Sequence, residues 1–126
     1  MEKLNVGRFG RPTEAEVADA VKEIERTCDE YSFWERTIYP YSFKMTVREL
    51  VKNWKDYSRC TPDSKDVILA EMNGFIPILN HWVEYQNEPD VKILYLEGNK
   101  KGEIGEVKTS LAEMLIESSL AKAVAV

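Results

Sequence analysis

The sequence predicts an α+β chain: three or four helices, then a short tail of strand, turn, strand, helix and strand. Three observations carry that expectation. Apolar residues recur at helical spacing through the first two thirds of the chain, as in Val17, Ala20, Val21, Ile24 and Cys28. Capping boxes, a Ser or Thr with Glu three positions later, stand at Thr13 with Glu16, Thr46 with Glu49 and Ser110 with Glu113. Past Asn87 the period changes, and apolar runs at 91–96 and 104–107 flank a turn rich in Gly, Asn and Lys.

Residues 1–12 precede the first cap and include Gly7, Arg8, Phe9, Gly10 and Arg11. Two glycines around one aromatic make no regular element, so the segment reads as a flexible N-terminal arm. Its functional alternative is an arm that orders against a neighbouring subunit, with Phe9 as anchor and Arg8 and Arg11 as charge contacts. A helical domain is expected over 13–88. Its first helix begins at Thr13, places Glu14 and Glu16 where the helix dipole favours acids, and ends near Tyr31. Residues 32–45 hold Phe33, Trp34, Ile38, Tyr39, Tyr41 and Phe43 around Pro40. A residue before proline avoids the helical region, so Tyr39-Pro40-Tyr41 is expected to be extended or turned. The stretch reads as a buried connector. As a contact surface it would work through Tyr39 and Tyr41, rigid amphipathic side chains suited to interfaces.

A second helix is expected from Thr46, with Val47, Leu50, Val51, Trp54 and Tyr57 on one face, ending near Arg59. A third starts about Ser64 and carries the longest apolar stripe, from Val67 to Val83. Gly74 and Pro77 interrupt it, which predicts a kink or two helices meeting. Asn87-Glu88-Pro89-Asp90 is the clearest boundary. The β-rich module beyond it, 89–126, is too short to hold a core alone and must pack on the helices or on a neighbouring subunit.

The chain has 126 residues and a net charge of -5. A mildly acidic chain is not a natural ligand for a polyanion. Residues 1–12 lack the apolar core of a signal peptide, and no apolar run approaches the roughly 20 residues that span a bilayer. Cys28 and Cys60 match no metal or redox spacing and read as reduced thiols of a cytoplasmic protein, with a disulfide between the first two helices as the alternative. His81, beside Trp82, reads as structural or surface. Trp34, Trp54 and Trp82 read as core. There is no phosphate-binding Gly-Lys-Ser/Thr loop, no nucleophile elbow and no acid/His cluster with metal spacing. Glu14, Glu16, Asp19, Glu23 and Glu25 read as a solvated helix face. No catalytic residue, metal ligand or cofactor is expected, and the chain is not expected to be an enzyme.

Gly98, Lys101, Gly102, Gly105 and Val107 resemble the KOW signature, a tight β-turn followed by a strand. That resemblance implies a turn at Lys100, Lys101 and Gly102 whose lysines could touch phosphate and whose Gly102 takes a positive φ. Glu97, Glu103 and Glu106 on the same hairpin oppose such binding, and nucleic acid is not the expected partner. The continuation departs from that family. Lys101-Gly102-Glu103, Glu106-Val107, Leu115-Ile116, Ala121 and Val124 resemble a small module frequent in tailed-bacteriophage proteins, although Ser119 stands where a glycine helix stop is usual. The resemblance covers 90–126 and implies a ββαβ, SH3-like tail. It also implies a structural or assembly protein of a virion, at a capsid, neck or tail contact, whose partners are itself and other virion proteins. Its location would be the virion, and the host cytoplasm before assembly. A phage-encoded inhibitor or regulator that binds a host protein is the alternative, and a KOW-type nucleic-acid module is a third.

Overall fold

A computed structural model describes residues 1–4, 10–36 and 39–124. The first helix, α1 (Glu14–Glu30), starts as its sequence requires. Thr13 is extended, at φ -66° and ψ 159°, and its Oγ1 accepts the Glu16 N–H at 3.2 Å. The stripe Val17, Ala20, Val21, Ile24 and Cys28 is buried. The helix closes at Tyr31, whose N–H donates to Thr27 O, and Ser32 follows at φ 52°.

A single turn, α2 (Phe33–Arg36), comes next. Phe33 is fully buried, with Phe75 and Trp82 edge-on to it at 5.6 and 6.3 Å. The connector thus inserts one aromatic into the helical core. Helix α3 (Tyr41–Trp54) corrects the second expected start. Thr46 is not its cap but an interior residue whose hydroxyl donates to Ser42 O at 2.9 Å. Pro40 begins the helix instead: it is extended, and its carbonyl accepts Lys44 N–H at 3.1 Å. A 3-10 turn (Tyr57–Arg59) ends this region.

Helix α4 (Pro62–Asn87) is one helix through Gly74 and Pro77, not two. Proline at its first position has no orphan N–H to satisfy, and Thr61 Oγ1 accepts Ser64 N–H at 3.3 Å. Phe75, Ile76 and Leu79 are buried on either side of exposed Pro77, so packing carries the helix across the missing donor. No helix among the described residues is long and apolar enough to cross a membrane.

The tail contains β1 (Asp90–Tyr95), β2 (Ile104–Lys108), α5 (Thr109–Glu117) and β3 (Ala121–Ala123). The strands form one antiparallel sheet in the order β2-β1-β3, with Ile93 opposite both Gly105 and Ala123. Ile93, Ala112 and Ala121 are its buried cluster, with Val91, Tyr95, Val107 and Leu115 packed against it. The tip is closed by Gly102 N–H to Tyr95 O at 2.8 Å, with Gly98 and Gly102 at φ +82° and +87°. Helix α5 is not capped by its own serine. Glu88 Oε2 accepts both the Ser110 N–H, at 3.3 Å, and the Ser110 hydroxyl, at 2.7 Å. An acidic side chain there also meets the positive end of the helix dipole.

The chain divides into two compact units, Met1–Trp82 and Val83–Val126. The last turn of α4 therefore groups with the tail, and the division falls before the polar segment 87–90 that the sequence marks as the boundary. The Glu88 bonds to Ser110, and the Pro89 carbonyl accepting Thr109 N–H at 3.1 Å, tie that segment to the tail.

Candidate functional site

In the helical unit, the exposed side of the α1–α3 packing is a groove. Two clefts lie along it, each of about 360 Å³. Glu25 and Lys55 line both, and their ion pair at 2.6 Å marks the junction. The first cleft has an apolar lining of Ala18, Val21, Trp54 and Tyr57. The second is lined by Trp34, Met45, Arg48 and Val51, and the Arg48 guanidinium lies 4.7 Å above the Trp34 ring. Two buried polar atoms here have no hydrogen-bond partner among the described residues, Glu25 Oε1 and Trp54 Nε1. The short contact to Lys55 compensates the carboxylate charge, which leaves the indole N–H as the uncompensated group. The first cleft has the apolar lining that accepts a helix or an extended segment of a protein, whereas charged side chains dominate the lining of the second.

Tyr41 and Met45, one helical turn apart on α3, are 73% and 38% exposed, and Met45 lines the second cleft. Tyr39 is half-buried, 6.1 Å from the Phe33 ring and 5.2 Å from Phe43, and serves the aromatic packing. Arg8 and Phe9 lie outside the described residues, as does Ile38 of the aromatic stretch. Arg11 is engaged within the chain: its guanidinium donates to both Asp66 oxygens, at 2.7 and 2.9 Å, and to Pro62 O at 3.2 Å. That two-pronged bond holds the Asp66 carboxyl below the usual carboxylate range.

In the tail, Lys100, Lys101 and Gly102 form an exposed tip. Lys100 Nζ sits 5.6 Å from the centre of the Tyr95 ring, and Glu97, Glu103 and Glu106 are exposed on the same hairpin. A separate hollow of about 690 Å³ opens beside β1, β3 and α5, lined by Val91, Ile93, Ala112, Ile116 and Val124 among others. Ile104, Met114, Ile116 and Leu120 are 62%, 55%, 40% and 42% exposed.

No group of three or more His, Cys, Asp or Glu among the described residues could hold a metal ion. Cys28 and Cys60 are both free thiols. Burial pushes the Cys28 thiol up to about 12, and Asp29 and Glu25 add to the shift, so this sulfur stays protonated at neutral pH.

One pair of residues was missed by sequence reasoning. Asn73 and Asn80, on α4, each hold a main-chain residue of the N-terminal segment. Asn80 Oδ1 accepts the Met1 amine at 3.0 Å, and its Nδ2 donates to Met1 O at 2.7 Å. Asn73 Oδ1 accepts Leu4 N–H at 2.7 Å, and its Nδ2 donates to Leu4 O at 3.0 Å. The only signal available was the spacing of seven, two helical turns, between two amides.

The chain matches no protein-family model, no curated protein and no solved structure.

Proposed function

We propose that the protein is a non-enzymatic assembly subunit that acts through protein–protein contact, as a structural component of a tailed-phage particle. The observation that carries this reading is the imbalance of the tail. Ile93, Ala112 and Ala121 are its buried cluster, while Ile104, Met114, Ile116 and Leu120 keep large apolar side chains in solvent. Large apolar side chains left in solvent are places where a partner could bury area. The likeness of 90–126 to the small ββαβ, SH3-like modules of phage proteins supplies the setting, a capsid, neck or tail contact between copies of the chain or with other virion proteins.

The α1–α3 groove favours a second reading, an inhibitor or regulator that receives a segment of a host protein. Mass measurement of the purified chain across a wide concentration range, with mass spectrometry of purified particles, separates the two. Concentration-dependent self-association and incorporation into particles support the first. A strictly monomeric chain absent from particles rejects it and leaves the groove as the functional surface.

A further inference from the structure

We propose that the Asn73–Asn80 face of α4 is a receptor for an extended peptide backbone, filled by the chain's own Met1–Leu4 in the monomer and by the same segment of a second copy on assembly. The proposal rests on the self-association reading above and adds the surface and the segment that carry it.

The geometry is that of a ladder. Each amide bonds both the amine or N–H and the carbonyl of a single residue, Asn80 with Met1 and Asn73 with Leu4. Seven helical residues advance about 10.5 Å, at 1.5 Å each. Three steps of extended chain, from Met1 to Leu4, cover about 10 Å. The two periods agree, so an extended segment meets both asparagines without strain. Between them Pro77 is exposed and lies near the same face of α4, four residues past Asn73 and three before Asn80.

Every one of these four bonds goes to the backbone of the segment. The receptor therefore reads an extended conformation rather than particular side chains, as in strand addition to a sheet edge. A second copy is the occupant to which the structure points. Its Met1–Leu4 segment is known to fit because the same segment is seated here, and exchange of an identical element between protomers needs no new interface. The same bonds form within a chain or between chains. Local concentration then decides which form is populated, and an assembling particle raises it.

The experiment is a complementation assay by analytical ultracentrifugation of the full chain, taken to millimolar concentration. Three proteins are compared: the parent, N73A/N80A, which keeps the segment and loses the receptor, and a chain lacking Met1–Leu4, which keeps the receptor. The parent is expected to associate as concentration rises, and each variant alone to associate at least about tenfold more weakly. An equal mixture of the two variants is expected to regain association, because one supplies the segment and the other an empty receptor. Parent-like association of either variant alone overturns the ladder proposal and leaves self-association standing. Weakened variants without recovery on mixing show that the segment acts only within its own chain, which also overturns it. A parent that stays monomeric throughout rejects self-association itself. Because the truncated chain keeps α4 unaltered, misfolding of N73A/N80A, checked by circular dichroism, would not remove the comparison with the parent.

Discussion

Residues of one type have different tasks here according to their surroundings. Cys28 is fully buried and its thiol stays protonated, whereas Cys60 is half-exposed, its Sγ donating to Asp56 O at 3.3 Å. Alkylation of the native protein is expected to label Cys60 alone, and a second label is expected only after unfolding. Mass spectrometry that finds Cys28 labelled at the native rate would refute this. Arg11 and Asp66 make the second case. The folded-state pKa of Asp66 is depressed, chiefly by the Arg11 hydrogen bonds, so the pair's contribution is fully present above the ordinary Asp pKa of about 3.9. It is lost as pH falls through the lower folded value. Titration of the Asp66 carboxyl by NMR is expected to show this depression, and Arg11→Ala is expected to restore the ordinary value. An unchanged titration in the variant would dismiss the pairing. At this scale the sequence was legible where burial alone decided the outcome, as for Cys28 and Trp82. It was not legible where a partner distant in sequence decided it. Asp66 lies far from Arg11 along the chain, and nothing local marks Asn73 or Asn80 as holding the N-terminal segment.

Elements are set by their ends. Of the capping boxes at Thr13, Thr46 and Ser110, only the Thr13 box opens its helix in the expected way. Pro40 starts α3 earlier than Thr46 does, and the Glu88 carboxylate binds Ser110 at the start of α5. A capping motif supplies an acceptor, but a proline or a distant carboxylate can supply the boundary first. The end of α5 follows a different rule. Leu120 N–H donates to Leu115 O at 2.8 Å and Ser119 N–H to Ile116 O at 3.0 Å, the paired bonds of a Schellman turn. Ser119 holds the left-handed position at φ 60°, where glycine is usual. Ser119→Gly is expected to stabilise the protein by about 0.5–1 kcal/mol, the relief of the left-handed strain less the added entropy of the unfolded chain. Gly102→Val places a β-branched side chain at φ +87° and is expected to destabilise by about 1–2 kcal/mol. Lys100→Ala, a change on an exposed tip, is expected to have little effect. Urea unfolding of the three variants checks the order, and a destabilised Ser119→Gly would contradict the strain argument.

At the scale of the molecule, the α+β class and the shift from helices to strands were readable from the change in hydrophobic period. The division at Trp82 was not, because α4 continues across it without a break in that period. Bonds from Ser110 and Thr109, after the hairpin, reach Glu88 and Pro89 just past the end of that helix. The candidate surfaces were legible only in part. Tyr41 stood out as an aromatic beside proline, whereas the α1–α3 groove depends on how two helices pack. The tail's small core also bears on autonomy. Chains of about 60 residues are marginal, and below roughly 40 residues something else usually has to hold the fold. A fragment of residues 83–126 is therefore expected to lack a cooperative unfolding transition by circular dichroism. A sharp thermal transition in that fragment would show that three buried residues suffice.

The central position of β1 has a kinetic consequence. Ile93 pairs with Gly105 in the hairpin and with Ala123 across α5. Closing the longer loop costs roughly 0.8 kcal/mol more, from the ratio of about 30 to 12 residues. Hairpin pairing is therefore expected to precede docking of β3. A substitution in the hairpin, such as Val107→Ala, then slows refolding of the tail, whereas Ala121→Gly in β3 chiefly speeds its unfolding. Stopped-flow measurements on the full chain read this order directly, and a refolding rate more sensitive to Ala121 than to Val107 would reverse it.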